Sequence, residues 1–389
     1  MKKYDYMIVG SGIIGLAIAR ELKKRYPDKS IVVLEKESDV AKHSSGRNSG
    51  VLHAGFYYTA NSLKAKFTAE GNRLLTRYCE ENGLKINKCK KVVVAGDESE
   101  RQTLHELYKR GRANGVEVEI KDEAWLEKTY PNVKTFKECL FSPATATVDP
   151  VEVVKHLKEE LVKKGVEFMF DTAFKKGMEK EAKLLINCAG LYADKIAKEF
   201  GFSKNYTIIP FKGIYLKYSY HDKPINTNIY PVPNLKNPFL GVHYTVTVDG
   251  TIKIGPTAIP AFWRENYEGM KNFSFEELLE ILSFETKLFF SDAFGFRALA
   301  FEEMKKYNKS YFVSLATSMV KSIDKDGFQE WSKPGIRAQL LDTKTLELLQ
   351  DFVVEGDGES VHVLNAVSPA FTSSFPFAKW VVDNYIEAS

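Results

Sequence analysis

At 389 residues the chain is longer than one typical hydrophobic core accommodates, so two domains are expected. Hydrophobic residues at 44% and charged residues at 27% exclude a disordered or fibrous protein. The 55 basic and 51 acidic residues are mixed along the chain and leave a net charge of +4, which excludes a nucleic-acid-binding footprint and suits anionic substrates only mildly.

The first element is a strand, Tyr4 to Val9, running into Gly10-Ser11-Gly12-Ile13-Ile14-Gly15. An apolar helix follows from Ile13 to about Arg25, then a second strand, Ile31 to Leu34, that ends in Glu35. Each residue type has a task in holding a dinucleotide. Gly10 makes the tight turn, Gly12 admits the backbone to a pyrophosphate, and Gly15 lets helix and strand pack closely. The helix N-terminus faces the phosphates and Glu35 can accept from ribose hydroxyls. The polar loop His43-Ser44-Ser45-Gly46-Arg47-Asn48-Ser49-Gly50 comes soon after and is placed to wrap the rest of a larger cofactor. No second GxGxxG and no Cys-x4-Cys pair accompanies it, which favours one bound FAD without a pyridine-nucleotide domain.

Further along, Pro150 to Lys164 reads as an amphipathic helix, Val166 to Phe170 as a strand, and Lys183 to Cys188 as a buried strand ending in Ala189-Gly190. A last βα set comprises the strand Val361 to Leu364, a loop from Asn365, and a helix from about Thr372 to Ile386. Strands feeding helices through small-residue loops put those loops at the carboxyl edge of a parallel sheet, where ligands sit. The intervening segments are rich in Tyr, Phe and Thr. Ile214 to Tyr220 and Leu240 to Val248 read as strands, the latter turning at Asp249-Gly250 toward a partner at Lys253 to Gly255. The expected class is α/β: a discontinuous Rossmann-like FAD-binding domain (1–80, 145–205 and 335–389) and a mostly antiparallel β-sheet plus helices as substrate domain (81–144 and 206–334). Phe273 to Phe290 reads as a helix whose stripe Phe275, Leu278, Leu279, Leu282, Phe289 and Phe290 is expected in the core, peripheral contact with a bilayer being the alternative. Met1-Lys2-Lys3 leads directly into the first strand, and no apolar run reaches membrane-spanning length. With Cys79, Cys89, Cys139 and Cys188 unpaired in spacing, a cytoplasmic protein with reduced thiols is expected, at most peripheral on the inner face of the membrane.

The glycine fingerprint, His43 to Gly55, Asn187-Cys188-Ala189-Gly190-Leu191-Tyr192-Ala193-Asp194 and Gly335-Ile336-Arg337-Ala338-Gln339 together resemble the D-amino-acid-oxidase-like FAD superfamily. Within it, Pro210-Phe211-Lys212-Gly213 and Leu240-Gly241-Val242-His243-Tyr244 are similar to the group that oxidises L-2-hydroxyglutarate, although Lys212 stands where Arg is expected in many relatives. The resemblance covers nearly the whole chain. It implies a non-covalently held FAD and oxidation of an α-hydroxy acid to a 2-oxo acid. Hydride passes to flavin N5, and the electrons then pass to oxygen, a quinone or another acceptor. Relatives acting on glycerol 3-phosphate or an amino acid are the alternative. A flavoprotein that only binds RNA or protein would need a basic patch, which the balanced charge denies.

For the site, the resemblance and the motifs together point to Gly10, Gly12, Ile13, Ile14, Gly15, Glu35, Lys36, Ser44, Ser45, Arg47, Asn48, Phe174, Ala189 and Gly190 around the cofactor. Ser368, Pro369, Ala370, Phe371 and Thr372 would bring a helix N-terminus to the flavin ring and stabilise negative charge there, with Thr372 or Ser373 as an ordinary helix cap in the bland reading. His53 and His243 are the candidate bases, because a histidine titrates near operating pH. Arg337 offers a fork for a carboxylate or a contact to the flavin. Tyr58, Lys212 and Thr245 are the substrate-side candidates, with Lys64 and Arg264 as further cations for a second carboxylate. Strand alternation puts Thr245 on the face of His243 and Tyr244 on the other. His105, His156, His221 and His362 read as structural, and no His, Cys and carboxylate cluster has metal-ligand spacing.

Overall fold

The computed structural model describes residues 3–233 and 240–387, so Met1 and Lys2 lie outside it. Its first layer is a six-stranded sheet in the order Val353–Gly356, Ser360–Asn365, Ala182–Asn187, Tyr4–Val9, Ile31–Leu34, Glu167–Met169. All pairings are parallel except that of Val353–Gly356 with Ser360–Asn365. The central strands are apolar on both faces because helices cover both faces. On one side the helix Ile13–Arg25 packs through Ile14, Leu16, Ile18 and Leu22 against the helices Pro150–Lys163 and Ala370–Val381. Asp149 caps the Pro150–Lys163 helix, accepting from the Val151 amide at 2.9 Å, with proline at its first turn.

The second layer is an eight-stranded sheet, antiparallel throughout except where Asn228–Pro231 lies parallel to Lys91–Val94. The hairpin expected at Asp249-Gly250 joins His243–Val246 to Ile252–Gly255, but its first strand is shorter than the run Leu240 to Val248 suggests. Ile214 to Tyr220 likewise does not form one strand. Tyr206–Gly213 pairs with Gly335–Asp342, and the chain restarts at Leu216–Tyr218 in the other sheet. That break lets one segment serve both a separate three-stranded sheet and the eight-stranded one.

The final helix starts at Ala370, two residues before the expected position. Pro369 occupies the cap without a side-chain hydrogen bond, and Thr372 lies inside the helix, so neither Thr372 nor Ser373 caps it. The helix Phe275–Ser291 overturns the core expectation for most of its apolar stripe, with Leu278 and Phe289 half-buried and Phe289 packed on the core. Phe275 is 63% exposed, Leu279 54%, Leu282 37% and Phe290 80%, while the buried face carries Glu277, Ile281 and Leu288. Among the described residues no helix is long and apolar enough to cross a membrane.

A candidate flavin and substrate cavity

At the carboxyl edge of the parallel sheet a cavity of about 880 Å³ opens and continues under the antiparallel sheet. Its nucleotide end is shaped by backbone. Gly10 has φ +101°, and a Cβ there would stand 2.5 Å from the Cys188 carbonyl oxygen. Gly12 heads the Ile13–Arg25 helix without a side-chain cap of its own, and Ser45 Oγ accepts from the Ile13 amide at 2.9 Å. A Cβ on Gly12 would meet that Ser45 oxygen at 3.0 Å. Gly15 is the exception among the three glycines: it does not line the cavity. Its missing side chain leaves room for the Gly10 carbonyl, so it holds the turn shut from behind.

Glu35 lines this end and accepts from the Ser11 amide and hydroxyl at 3.0 and 2.7 Å, which ties the turn to the strand that carries it. Buried Asn187 orders the opposite bank. Its Oδ1 accepts from the Ala189 amide at 3.1 Å and its Nδ2 donates to the Ala193 carbonyl at 2.8 Å. His362, buried, meets Asn187 and Ser360 through its two ring nitrogens. Ile13, Ile14, Lys36, Phe174, Ala189 and Gly190 also face the cavity.

The wrapping loop is internally locked. Ser44 donates to the Ile336 carbonyl at 2.8 Å. Asn48 donates to the Ser44 and Ser45 carbonyls at 3.1 and 2.9 Å and accepts from the Gly50 amide. The Arg47 guanidinium holds the Lys42 and Pro334 carbonyls and lies 4.4 Å from the Tyr267 ring, so its charge braces the loop while the residue lines the wall. His43 bridges Glu37 and Tyr267. Glu37, His43 and Glu265 come together as a group that sequence spacing does not reveal, and the Lys36 ammonium pairs with both carboxylates.

Ser368, Pro369, Ala370, Phe371 and Thr372 line the middle of the cavity, where the uncapped helix start brings its partial positive charge. Thr372 Oγ1 accepts from the His53 amide at 3.1 Å, which fixes the histidine segment to that helix. His53 and His243 are 9% and 3% exposed and both line the wall. Burial, then the charge of Lys91, then His243 press the His53 pKa well down. Burial brings His243 to about 3, and Lys91 adds to the effect against an opposing hydrogen bond to Gly241. Both imidazoles are therefore neutral at pH 7. His243 Nδ1 donates to the Gly241 carbonyl at 2.8 Å, which fixes its tautomer. Its ring stacks on Tyr230 with centroids 3.7 Å apart.

The opposite wall is cationic. Arg337 pairs in register with Phe211, and burial lowers its pKa to about 10, which leaves it charged at pH 7. Burial and then Arg337 bring Lys64 down to about 7. The Tyr58 hydroxyl is pushed up by burial. Three sequence candidates lie elsewhere. Lys212 alternates away from the cavity, which Phe211 and Gly213 line, and donates to Asn266 Oδ1 at 3.3 Å. Thr245 is fully buried and lies off the wall that His243 lines. Arg264 is closed in a forked ion pair with Asp194, at 2.6 and 2.9 Å, with both side chains inaccessible. Lys91, fully buried, is a further basic group of the region.

Two helix starts whose cap residues offer no side-chain cap, a glycine cradle and a long cavity whose middle meets an electropositive helix start fit a flavin dinucleotide, and they define a flavin-dependent oxidoreductase. The chain belongs to the FAD dependent oxidoreductase family, whose model matches residues 5–384. It is 35% identical over 402 residues to the L-2-hydroxyglutarate dehydrogenase of Escherichia coli, covering 97% of this chain and 92% of that protein. It is 36% identical over 429 residues to the mitochondrial L-2-hydroxyglutarate dehydrogenase of Nematostella vectensis, covering 99% and 91%. Among solved structures, the dithionite-reduced L-alpha-glycerophosphate oxidase of Mycoplasma pneumoniae with FAD bound superposes with a TM-score of 0.75 at 21% identity, covering 98% of this chain and 94% of that one.

Proposed function

We propose that the chain oxidises L-2-hydroxyglutarate to the 2-oxo acid, its nucleotide part (1–80, 145–205 and 335–389) holding FAD beneath a substrate-covering part (81–144 and 206–334). The observation that carries this reading is that two buried histidines, His53 and His243, share one cavity with two basic side chains, Lys64 and Arg337, on its opposite wall. Two basic side chains on one wall suit a ligand with two carboxylates.

Bound FAD supplies the hydride acceptor. The protein's own residues do the rest. Arg337 receives the carboxylate beside the reacting carbon through its planar fork, and Lys64 receives the distal one. His53, tied through its amide to the helix start beside the ring site, takes the hydroxyl proton as the Cα–H bond breaks. His243, with Nδ1 fixed on Gly241, accepts a hydrogen bond from the hydroxyl and orients it. The test is anaerobic bleaching of the flavin by a panel of 2-hydroxy acids, amino acids and glycerol 3-phosphate. L-2-hydroxyglutarate is expected to reduce it fastest. Equal or faster reduction by glycerol 3-phosphate or an amino acid would overturn the substrate assignment.

The proposed acceptor is a quinone, reached from a peripheral position on the cytoplasmic face of a membrane. The exposed side chains Phe275, Leu279, Leu282 and Phe290 support this, since they share one face of the helix and exposed apolar patches mark interaction surfaces. Co-sedimentation with lipid vesicles is the check. Failure to bind them, with reoxidation by air as fast as by quinone, would sink it.

A further inference from the structure

Lys91 opens the strand Lys91–Val94 and is 0% exposed. Among the described residues its Nζ has no hydrogen-bond partner. Aromatic rings surround it instead: Tyr230 at 3.8 Å, Tyr57 at 5.4 Å and Phe56 at 5.7 Å from Nζ to centroid. The Tyr230 ring is shared, for its stack on His243 has an interplanar angle of 20°. Tyr57, Tyr230, His53 and His243 line the cavity, whereas Lys91 stands one layer behind them. A buried amine without a carboxylate is among the most expensive groups a core can hold. A methionine or leucine would fill the space more cheaply, so packing alone does not account for a lysine here.

We propose that Lys91 is a positioning residue for substrate oxidation, whose ammonium, seated against Tyr230, presses that ring onto His243 and lends positive charge to the reaction cavity. The inference rests on the reading of that cavity as the site where a hydroxy acid is oxidised. Cation–π attraction to Tyr230 partly replaces the lost hydration and fixes the ring between ammonium and imidazole. The charge acts on the ligand through a water-poor region, where screening is weak. It favours an anionic substrate and keeps protons off both histidines, leaving them able to accept one.

The titratable groups around it set the sign of the pH dependence. Burial brings Lys91 itself to about 7, with Cys89 on its own segment opposing. His53 and His243 each feel its charge, and Lys306 adds to that on His243. As pH rises through 7, free Lys91 sheds its proton and dicarboxylate affinity should fall. As pH drops, its charge resists protonation of the histidines, so the acid limb of flavin reduction should lie low.

The experiment compares holoenzyme carrying Lys91→Met or Lys91→Arg with the parent. It measures glutarate binding from the perturbed flavin spectrum, and the rate of anaerobic flavin reduction by L-2-hydroxyglutarate, both across pH. In Lys91→Met, glutarate affinity at pH 6 should fall roughly tenfold to thirtyfold, as for one unit charge removed some ångströms away, and the acid limb should move to higher pH. Lys91→Arg keeps a charge that does not titrate, so the acid limb should stay and the loss of affinity above neutrality should shrink to the share of Lys64, which burial also brings to about 7. An unchanged acid limb and affinity in Lys91→Met would overturn the inference. If Lys91→Met does not fold, Lys91→Arg decides alone: a loss of affinity through pH 7 as large as the parent's overturns it. A parent whose flavin no hydroxy acid reduces overturns the functional reading, and this inference with it.

Discussion

The two ends of the cavity are made by different means. At the nucleotide end the work is done by absent side chains and by backbone, with Gly10 pressed on Cys188 and Gly15 on Gly10. At the substrate end it is done by side chains from distant segments: His53, Lys64, His243 and Arg337. The first kind of site tolerates almost no change in shape but leaves a short, continuous imprint. The second tolerates substitution one residue at a time, and each change removes one function.

The contrast can be broken in three ways. The largest effect is expected from Gly15→Ala. Its methyl would press into the Gly10 carbonyl, with Ile8 at 3.2 Å on another side. Flavin occupancy should drop below detection even though Gly15 touches no part of the cavity, as read from the absorption of the purified protein. Full occupancy would show that the turn can relax and that backbone does not govern this end. Next is His53→Ala, which should keep FAD while the rate of flavin reduction falls by roughly 10²–10⁴, the range for general-base catalysis. His243→Ala should mainly weaken substrate binding. Stopped-flow reduction of both variants separates them, and a reversed pattern moves the base to His243. The smallest effect is expected from Arg337→Lys, which keeps charge but loses the fork. Apparent substrate affinity should weaken by roughly 1–3 kcal/mol. Unchanged kinetics would assign Arg337 to a purely structural role.

The same division explains what could be read before the structure. The first strand, the Ile13–Arg25 helix and the Ile31–Leu34 strand were legible because turn, helix and acid lie within one continuous stretch. So was the Asp249-Gly250 hairpin, whose turn chemistry is local. Lys212 was misplaced because alternation turns it away from the cavity that Phe211 and Gly213 line, and Thr245 because sharing a face with His243 does not bring a residue two positions further along to the cavity wall. Arg264 read as a free cation because Asp194, its partner, is remote in sequence. The same distance hid the meeting of Glu37, His43 and Glu265. Lys91 was invisible for another reason: a lysine opening a strand ordinarily points to water, and nothing local shows that three aromatic rings close over it. The stripe on Phe275–Ser291 has a helical period whichever way it faces, so periodicity alone could not say which side is wet.

The parallel sheet also has a consequence for synthesis. Its central strands, Tyr4–Val9 and Ala182–Asn187, need Ser360–Asn365 as an outer neighbour, and the Ala370–Val381 helix covers them. Arg25 reaches across to Asp383 and Glu387 near the other end of the chain. The Tyr4–Val9 strand therefore waits for a strand made far later in the chain before its layer closes. Such non-local closure makes folding slow and leaves apolar strand edges exposed meanwhile. Removing the final helix should thus cost far more than one helix: the nascent chain would stall with an open sheet and be prone to aggregation.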